Sequence, residues 1–216
     1  MLAASLFSGG KESLYAISTV EKQGIEVEHL LHQIPTFTSP HTHNIEALGI
    51  LAKSMNKHFA IVDLHKGEQE LVNLLKNLNV DALVAGDINV PQHIIWLQNI
   101  CSQAGIELLE PLFGKNTSIL FQEMFNDPRF KATIIGLNTK FLTDEWLGFT
   151  ISCQTAEAFL SGTQHIDPLG ENGEFHTIVV DSPLYSSVFK IKPLERVTEK
   201  DMTYLRVALS EQLERT

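Results

Sequence analysis

Short apolar runs alternate with amphipathic stretches along the first part of the chain. Their spacing predicts strands near residues 2–7, 26–32, 58–63, 81–85, 106–109 and 132–137, and helices near 13–23, 44–56, 68–78, 92–104 and 117–126. Strand and helix in alternation is the signature of βαβ units, so the expected fold class is α/β: an open, mainly parallel, Rossmann-like sheet with helices on both faces. The run DALVA at 81–85 is short, apolar and stopped by Gly86, as a strand buried on both faces is. After about residue 140 the pattern changes. TDEWLG and SCQTAEAFLSG read as helical pieces, DPLGENGEFHT as a long turn before the strand TIVVD, SSVFKIKPLERV as a strand, and EKDMTYLRVALSEQLE as a closing amphipathic helix. The expected organisation is therefore a domain over 1–140 and a small α+β lobe over 141–216. The closing helix is the candidate surface for a homodimer.

Composition narrows the partners. The hydrophobic fraction is 44% and the charged fraction 19%, as in ordinary globular proteins, and no low-complexity stretch interrupts the 216 residues. A formal charge of −10 argues against a large nucleic-acid surface, since phosphate backbones are held by clustered Lys and Arg. No apolar stretch approaches the roughly 20 residues that span a bilayer, and the first residues lack a signal peptide's basic flank. The expectation is a cytoplasmic protein with small-molecule or protein partners and no membrane contact. Cys101 and Cys153 share no metal-type spacing and are expected to be buried free thiols.

Two motifs carry chemistry. SGGKES, at residues 8–13, lies between the first expected strand and the first expected helix. Gly9 and Gly10 let backbone approach a ligand, the first amides of the following helix point into the turn, and Lys11 adds a positive charge. Ser13 adds a hydroxyl that can bond a phosphate oxygen or the helix's own amides. An ordinary glycine turn with a capping serine is the plain alternative. Neither a G-x-x-x-x-G-K-S/T loop nor a G-x-G-x-x-G fingerprint can be read through it. GENGEFHT, at 170–177, sets Glu171 and Glu174 in a glycine-bounded turn, where two carboxylates facing one space can hold Mg²⁺ on ATP phosphates or recognise an amine. Here the plain alternative is a solvent-exposed acidic turn.

SGGKES resembles the PP-loop of ATP pyrophosphatases, which split ATP between its α and β phosphates. Taken with GD at 86–87, PLFG at 111–114, WLG at 146–148, GENGEFHT and DSPL at 181–184, the chain resembles the diphthine–ammonia ligase family over nearly its whole length, in a bacterial-type form. The resemblance implies an adenine-nucleotide-hydrolase-like domain. It also implies a ligase that activates a carboxylate with ATP and Mg²⁺ and transfers it to ammonia, releasing AMP and pyrophosphate. In eukaryotic and archaeal members the carboxylate belongs to diphthine on elongation factor 2. Carried over by position, Ser8, Gly9, Gly10, Lys11, Glu12 and Ser13 fall on the phosphate loop, and Gly86 and Asp87 where the nucleotide site continues. His32 and Gln33 fall near the adenine by position alone. Glu171, Asn172, Gly173 and Glu174 fall on the acceptor side, and Lys11, Glu171 and Glu174 are the expected catalytic residues. No metal site is assigned to protein side chains alone; Mg²⁺ would come on ATP, with Asp87 the residue able to reach it. PHTHN, at 40–44, matches a histidine-bearing segment in relatives, and His41 and His43 receive no role. Glu12 replaces the family's usual Asp, and Leu169 stands where the bacterial-type pattern often has Cys.

Two other classes stay open. A nucleotide sensor would bind ATP without turnover. A tRNA-modifying PP-loop enzyme predicts a basic surface and paired reactive cysteines, which this sequence lacks.

Overall fold

The computed structural model describes residues 1–36 and 39–212. Two compact units emerge: one of Met1–Ser8, Glu12–Ser39 and Asn56–Gly114, the other of Gly9–Lys11, Pro40–Met55 and Lys115–Thr216.

The first unit is built on five parallel strands, β1 (Leu2–Leu6), β2 (Glu26–Ile34), β3 (His58–Asp63), β4 (Ala82–Val84) and β5 (Glu107–Leu109), in the order β3-β2-β1-β4-β5. β1 and β4, flanked on both sides, carry apolar residues on both faces because both faces are covered. Parallel strands need crossovers, supplied here by helices α1 (Lys11–Lys22), α3 (Gln69–Leu78) and α4 (Pro91–Ala104). Ala4, Leu31, Val62 and Leu83 pack with Leu71 and Leu75 of α3 and Leu97 and Ile100 of α4 in one buried cluster. Each fully buried leucine there contributes roughly 1.5–3 kcal/mol. Right-handed crossovers put α1 on the opposite face, and its Leu14, Ile17 and Val20 are buried. Strand order reverses between β1 and β4, the place where open α/β sheets collect ligands at their carboxyl ends.

The second unit holds α2 (Ile45–Ser54), α5 (Thr117–Phe125), α6 (Ala156–Gly162) and an antiparallel sheet. That sheet comprises β6 (Lys131–Asn138), β7 (Thr150–Ile151), β8 (Phe175–Asp181), β9 (Val188–Glu199) and β10 (Met202–Gln212). β6 pairs with β7, β8 and β10, and β10 with β9. Its core is aromatic: Phe159 meets Phe121, Trp146, Phe149 and Phe175 at centroid distances of 5.4–6.3 Å.

The α/β architecture and the extra C-terminal lobe match expectation, while several particulars do not. The expected sixth strand is β6 and belongs to the antiparallel sheet. TDEWLG forms only a short 3-10 turn over Asp144–Trp146. The expected closing helix is a strand through Gln212, its last two residues lying outside the described ones. Thr203, Tyr204 and Val207 are strand formers, and pairing with β9 over the whole length of β10 overrides the helical spacing of its apolar residues. The homodimer surface expected on that helix therefore has no helix to rest on. Both cysteines are free, with Cys101 buried but Cys153 exposed, so the burial expectation fails for Cys153. Among the described residues no helix is long and apolar enough to cross a membrane.

Candidate functional site

The chain leaves β1 through Phe7, whose N–H donates to the Leu31 carbonyl at 2.9 Å, and turns at Gly9. Gly9 has φ +69°, in the left-handed region that a side chain resists. In the first unit the Ser8 N–H reaches Ser13 Oγ at 3.4 Å. Glu12 lies in the first turn of α1, where a carboxylate suits the positive end of the helix. Gly86 is there for space: a Cβ on it would stand 3.0 Å from the Glu12 carbonyl carbon and oxygen and 3.1 Å from the Ser13 nitrogen.

Residues Gly9–Lys11 are built into the second unit by the strand that ends GENGEFHT. The Gly9 carbonyl accepts from the Val179 N–H at 2.8 Å. The Lys11 N–H donates to Thr177 Oγ1 at 3.2 Å, and Lys11 Nζ lies 4.5 Å from the Phe175 ring centre. Phe175 and Thr177 share one face of β8 by strand alternation and meet Lys11 with their side chains, while the Val179 contact is made by the strand's backbone N–H. Lys11 is only 1% exposed, so its ammonium is already desolvated. A charge in that condition acts more strongly on an anion than a solvated one.

Alternation turns His176 to the other face, where its ring meets His41 edge-on at 5.6 Å. Burial, and secondarily the Lys11 charge, lower its pKa to about 4, so the ring is neutral at physiological pH. His41 is held there by Asn44. The Asn44 amide donates to the Pro40 and Leu205 carbonyls at 2.8 and 3.0 Å, and its oxygen accepts from the Val207 N–H at 2.8 Å. His43 lies against the Tyr204 ring at 5.8 Å. Sequence reasoning missed Asn44, Phe175, His176 and Thr177 as parts of the site. The fixed Asn at the end of PHTHN and the β-strand character of EFHT were the available signals.

The two glutamates of the turn part company. Glu174 is 2% exposed, and its carboxylate accepts from the Asp167 N–H at 3.2 Å, the Asn172 N–H at 2.8 Å and the Asn172 side-chain amide at 3.0 Å. Burial pushes its pKa up. Hydrogen bonds from the Asn172 side chain and from the backbone at Glu174, Asp167 and Asn172 more than offset this, and the net shift is downward. Asp167 completes the turn by accepting from the Leu169 N–H at 2.8 Å and from Thr117 Oγ1 at 2.7 Å. Glu171 is half-buried, with its N–H reaching Asp167 Oδ1 at 3.5 Å, and Gly173 closes the turn on the Gly170 carbonyl at 3.0 Å.

In the first unit, His32 at the end of β2 is 3% exposed and donates Nδ1–H to the Phe7 carbonyl at 3.0 Å. Burial lowers its pKa against the opposing Phe7 bond, so it is neutral. Its Nε2 is a buried acceptor without a partner among the described residues, as is the Gln33 amide nitrogen on the donor side. Alternation sends Gln33 to the opposite face, so the two do not meet one ligand edge. Asp87 Oδ1 accepts from His93 Nδ1 at 2.7 Å. Among the described residues no three His, Cys, Asp or Glu side chains gather as a metal site.

Fold and loop together define an open α/β protein whose first strand feeds a glycine turn at the start of a helix, with an antiparallel C-terminal lobe. Comparison with known families makes this specific. Residues 1–108 match the diphthamide synthase N-terminal domain and residues 116–213 its C-terminal domain, and the chain belongs to the diphthamide synthase family. It is 25% identical over 240 residues to the diphthine–ammonia ligase of Schizosaccharomyces pombe, an alignment covering 96% of this chain and 39% of that protein. The chain thus spans well under half the length of that curated relative. Among solved structures, a predicted subunit of tRNA methyltransferase from Methanocaldococcus jannaschii aligns with a TM-score of 0.40 and 18% identity, over 67% of this chain and 81% of that one.

Proposed function

We propose that the chain is an ATP-dependent carbon–nitrogen ligase, which adenylates a carboxylate and passes the acyl group to ammonia, releasing AMP and pyrophosphate. The supporting observation is that, within the second unit, Gly9 and Lys11 are hydrogen-bonded to Val179 and Thr177 of β8, the strand that GENGEFHT leads into. Family membership and the name of the fission yeast relative point to the same chemistry, with a diphthine-type carboxylate the first acceptor to test.

A carboxylate is a poor electrophile because its charge is delocalised, and ATP supplies the leaving group that makes it reactive. Pyrophosphate departs with several negative charges. The amides at Gly9 and Gly10, the Lys11 ammonium and the Ser8 and Ser13 polar groups are the residues to stabilise them. Mg²⁺ enters this reading only on ATP. In the first unit His32 serves the base side and Gly86 gives the loop its room; in the second, Glu171, Asn172 and Gly173 present the acceptor side of the turn that Glu174 holds.

The test is ATP–pyrophosphate isotope exchange with diphthine-bearing elongation factor 2 and a panel of small carboxylates. Exchange with at least one carboxylate, lost in Lys11→Ala, is the expected result. Tight ATP binding without exchange for any of them would instead point to a nucleotide sensor.

A further inference from the structure

His43 of PHTHN takes no part in the loop or in the GENGEFHT turn. It lines a cavity of about 300 Å³ in the second unit, where residues 42–46 form one wall and Leu194, Arg206 and Val207 the other. That volume is at the small end of the range for ligand pockets and suits an occupant of amino-acid size. The opening has a local cause, because the β9–β10 ladder slips beside it. Arg206 pairs with Glu195, but the next residue, Val207, pairs with Pro193, so Leu194 is an extra residue with nothing opposite. Pro193 has no N–H for the ladder, which suits it to such a place. A bulge bends its strand and re-aims side chains, and here Leu194 and both residues flanking the slip line the cavity. Leu194 is left 52% exposed.

The other wall is fixed by Asn44. Its hydrogen bonds to the Leu205 carbonyl and the Val207 N–H grip β10 on either side of Arg206, and its bond to the Pro40 carbonyl ties them to the start of α2. Both walls are thus held before a ligand arrives, so binding requires little ordering. Two buried polar atoms of lining residues, Thr42 Oγ1 and His43 Nε2, have no hydrogen-bond partner among the described residues. Groups in that state cost free energy that a polar ligand would recover. Arg206 Nη1 donates to Glu195 Oε2 at 3.1 Å, which uses one of the guanidinium's five donors and leaves the rest for a carboxylate. Glu46, in the first turn of α2, lines the same cavity, yet the ion pair of Arg206 is with Glu195. A cation and an anion that line one small space without neutralising each other call for a guest carrying both charges. Ile45, Leu194 and Val207 supply apolar surface for the remainder of it.

We propose that this cavity binds a free α-amino acid. The carboxylate sits on Arg206, the ammonium on Glu46 and the side chain against Leu194 and Val207, with Thr42 and His43 completing the polar contacts. A simple anion would be repelled by Glu46 and a simple cation by Arg206, whereas the zwitterion meets both. The site is additional to the loop and to the GENGEFHT turn, and it does not depend on the ligase reading.

Calorimetric titration of the whole chain with a panel of natural α-amino acids tests it. At least one should bind at a single site with millimolar or tighter affinity. Its amide, which lacks the carboxylate charge, and its N-acetyl form, which lacks the ammonium, should each bind about tenfold or more weakly. Arg206→Gln should bind the amino acid and its amide alike, and Glu46→Gln should no longer tell the amino acid from its N-acetyl form. Both side chains are exposed, so the variants should keep the wild-type Tm, which separates a lost site from a lost fold. Should either variant unfold, the comparison of blocked and free forms on the wild type decides alone. No binding of any amino acid at about 10 mM, equal binding of the blocked forms, or unchanged discrimination in the variants overturns the proposal. Acetate binding as tightly as the best amino acid also overturns it and marks a plain anion site.

Discussion

Replacing Glu174 by Gln separates two roles for this carboxylate, chemistry and scaffolding. The substitution keeps the shape and removes the charge. In the wild type, one oxygen accepts from the Asp167 N–H and the Asn172 amide, and the other accepts from the Asn172 N–H. The Gln oxygen will take the place with two donors, so the new NH₂ faces the Asn172 N–H and one buried backbone donor loses its partner. With the site 2% exposed, water cannot easily replace the bond. The expected loss is about 1–3 kcal/mol for that unsatisfied group. Urea unfolding should show a lower midpoint with an unchanged slope. The pH dependence has a definite sign. The folded pKa lies below the ordinary glutamate value of 4.5, so the carboxylate's contribution is fully present above that value and is lost as pH falls through the lowered folded pKa. The gap between wild type and Glu174→Gln should therefore close on acidification below 4.5. A variant of unchanged stability that has lost all exchange activity would refute the scaffolding argument and return Glu174 to the chemistry.

Four further outcomes follow from the surroundings of particular residues. Gly9→Ala combines a φ of +69° with a Cβ only 2.5 Å from Leu48 Cδ2, and should destabilise by about 2–4 kcal/mol, read as a lowered Tm. Gly24→Ala is the control: φ is +84° but nothing lies within 4 Å, so its loss should stay near about 1 kcal/mol. In Gly86→Ala the Cβ meets backbone at Glu12 and Ser13, which cannot swing away, so calorimetry should show ATP affinity falling more than stability. Asn44→Ala removes three hydrogen bonds and leaves the Val207 N–H buried, a loss of about 2–3 kcal/mol measurable by urea denaturation.

Much of this was legible in the order of residues. The first five strands announce themselves because a parallel strand covered on both faces is a short apolar run, and such runs are local. SGGKES was legible for the same reason, since a glycine turn between strand and helix is a local event. GENGEFHT was legible as a turn. The inward commitment of Glu174 was not, because a carboxylate's role depends on whether Asp167 and Asn172 close around it. The contact of His93 with Asp87 escaped notice because a histidine in an amphipathic helix reads as a surface residue until Asp87, six positions away, is placed against it.

Sequence alone therefore determined the alternating strands and helices, the glycine turn after β1, and the net negative charge of the chain. Tertiary structure alone decided that Met202–Gln212 is a strand, since the apolar spacing of that segment suits a helix and only the pairing partners β9 and β6 make the extended form the better one. It also decided that Gly9 and Lys11 are anchored to Thr177 and Val179, more than 160 residues away in the chain. Hydrophobic period is a property of neighbours in sequence. Hydrogen-bond partnership at this distance is a property of the folded chain, and the site depends on the second.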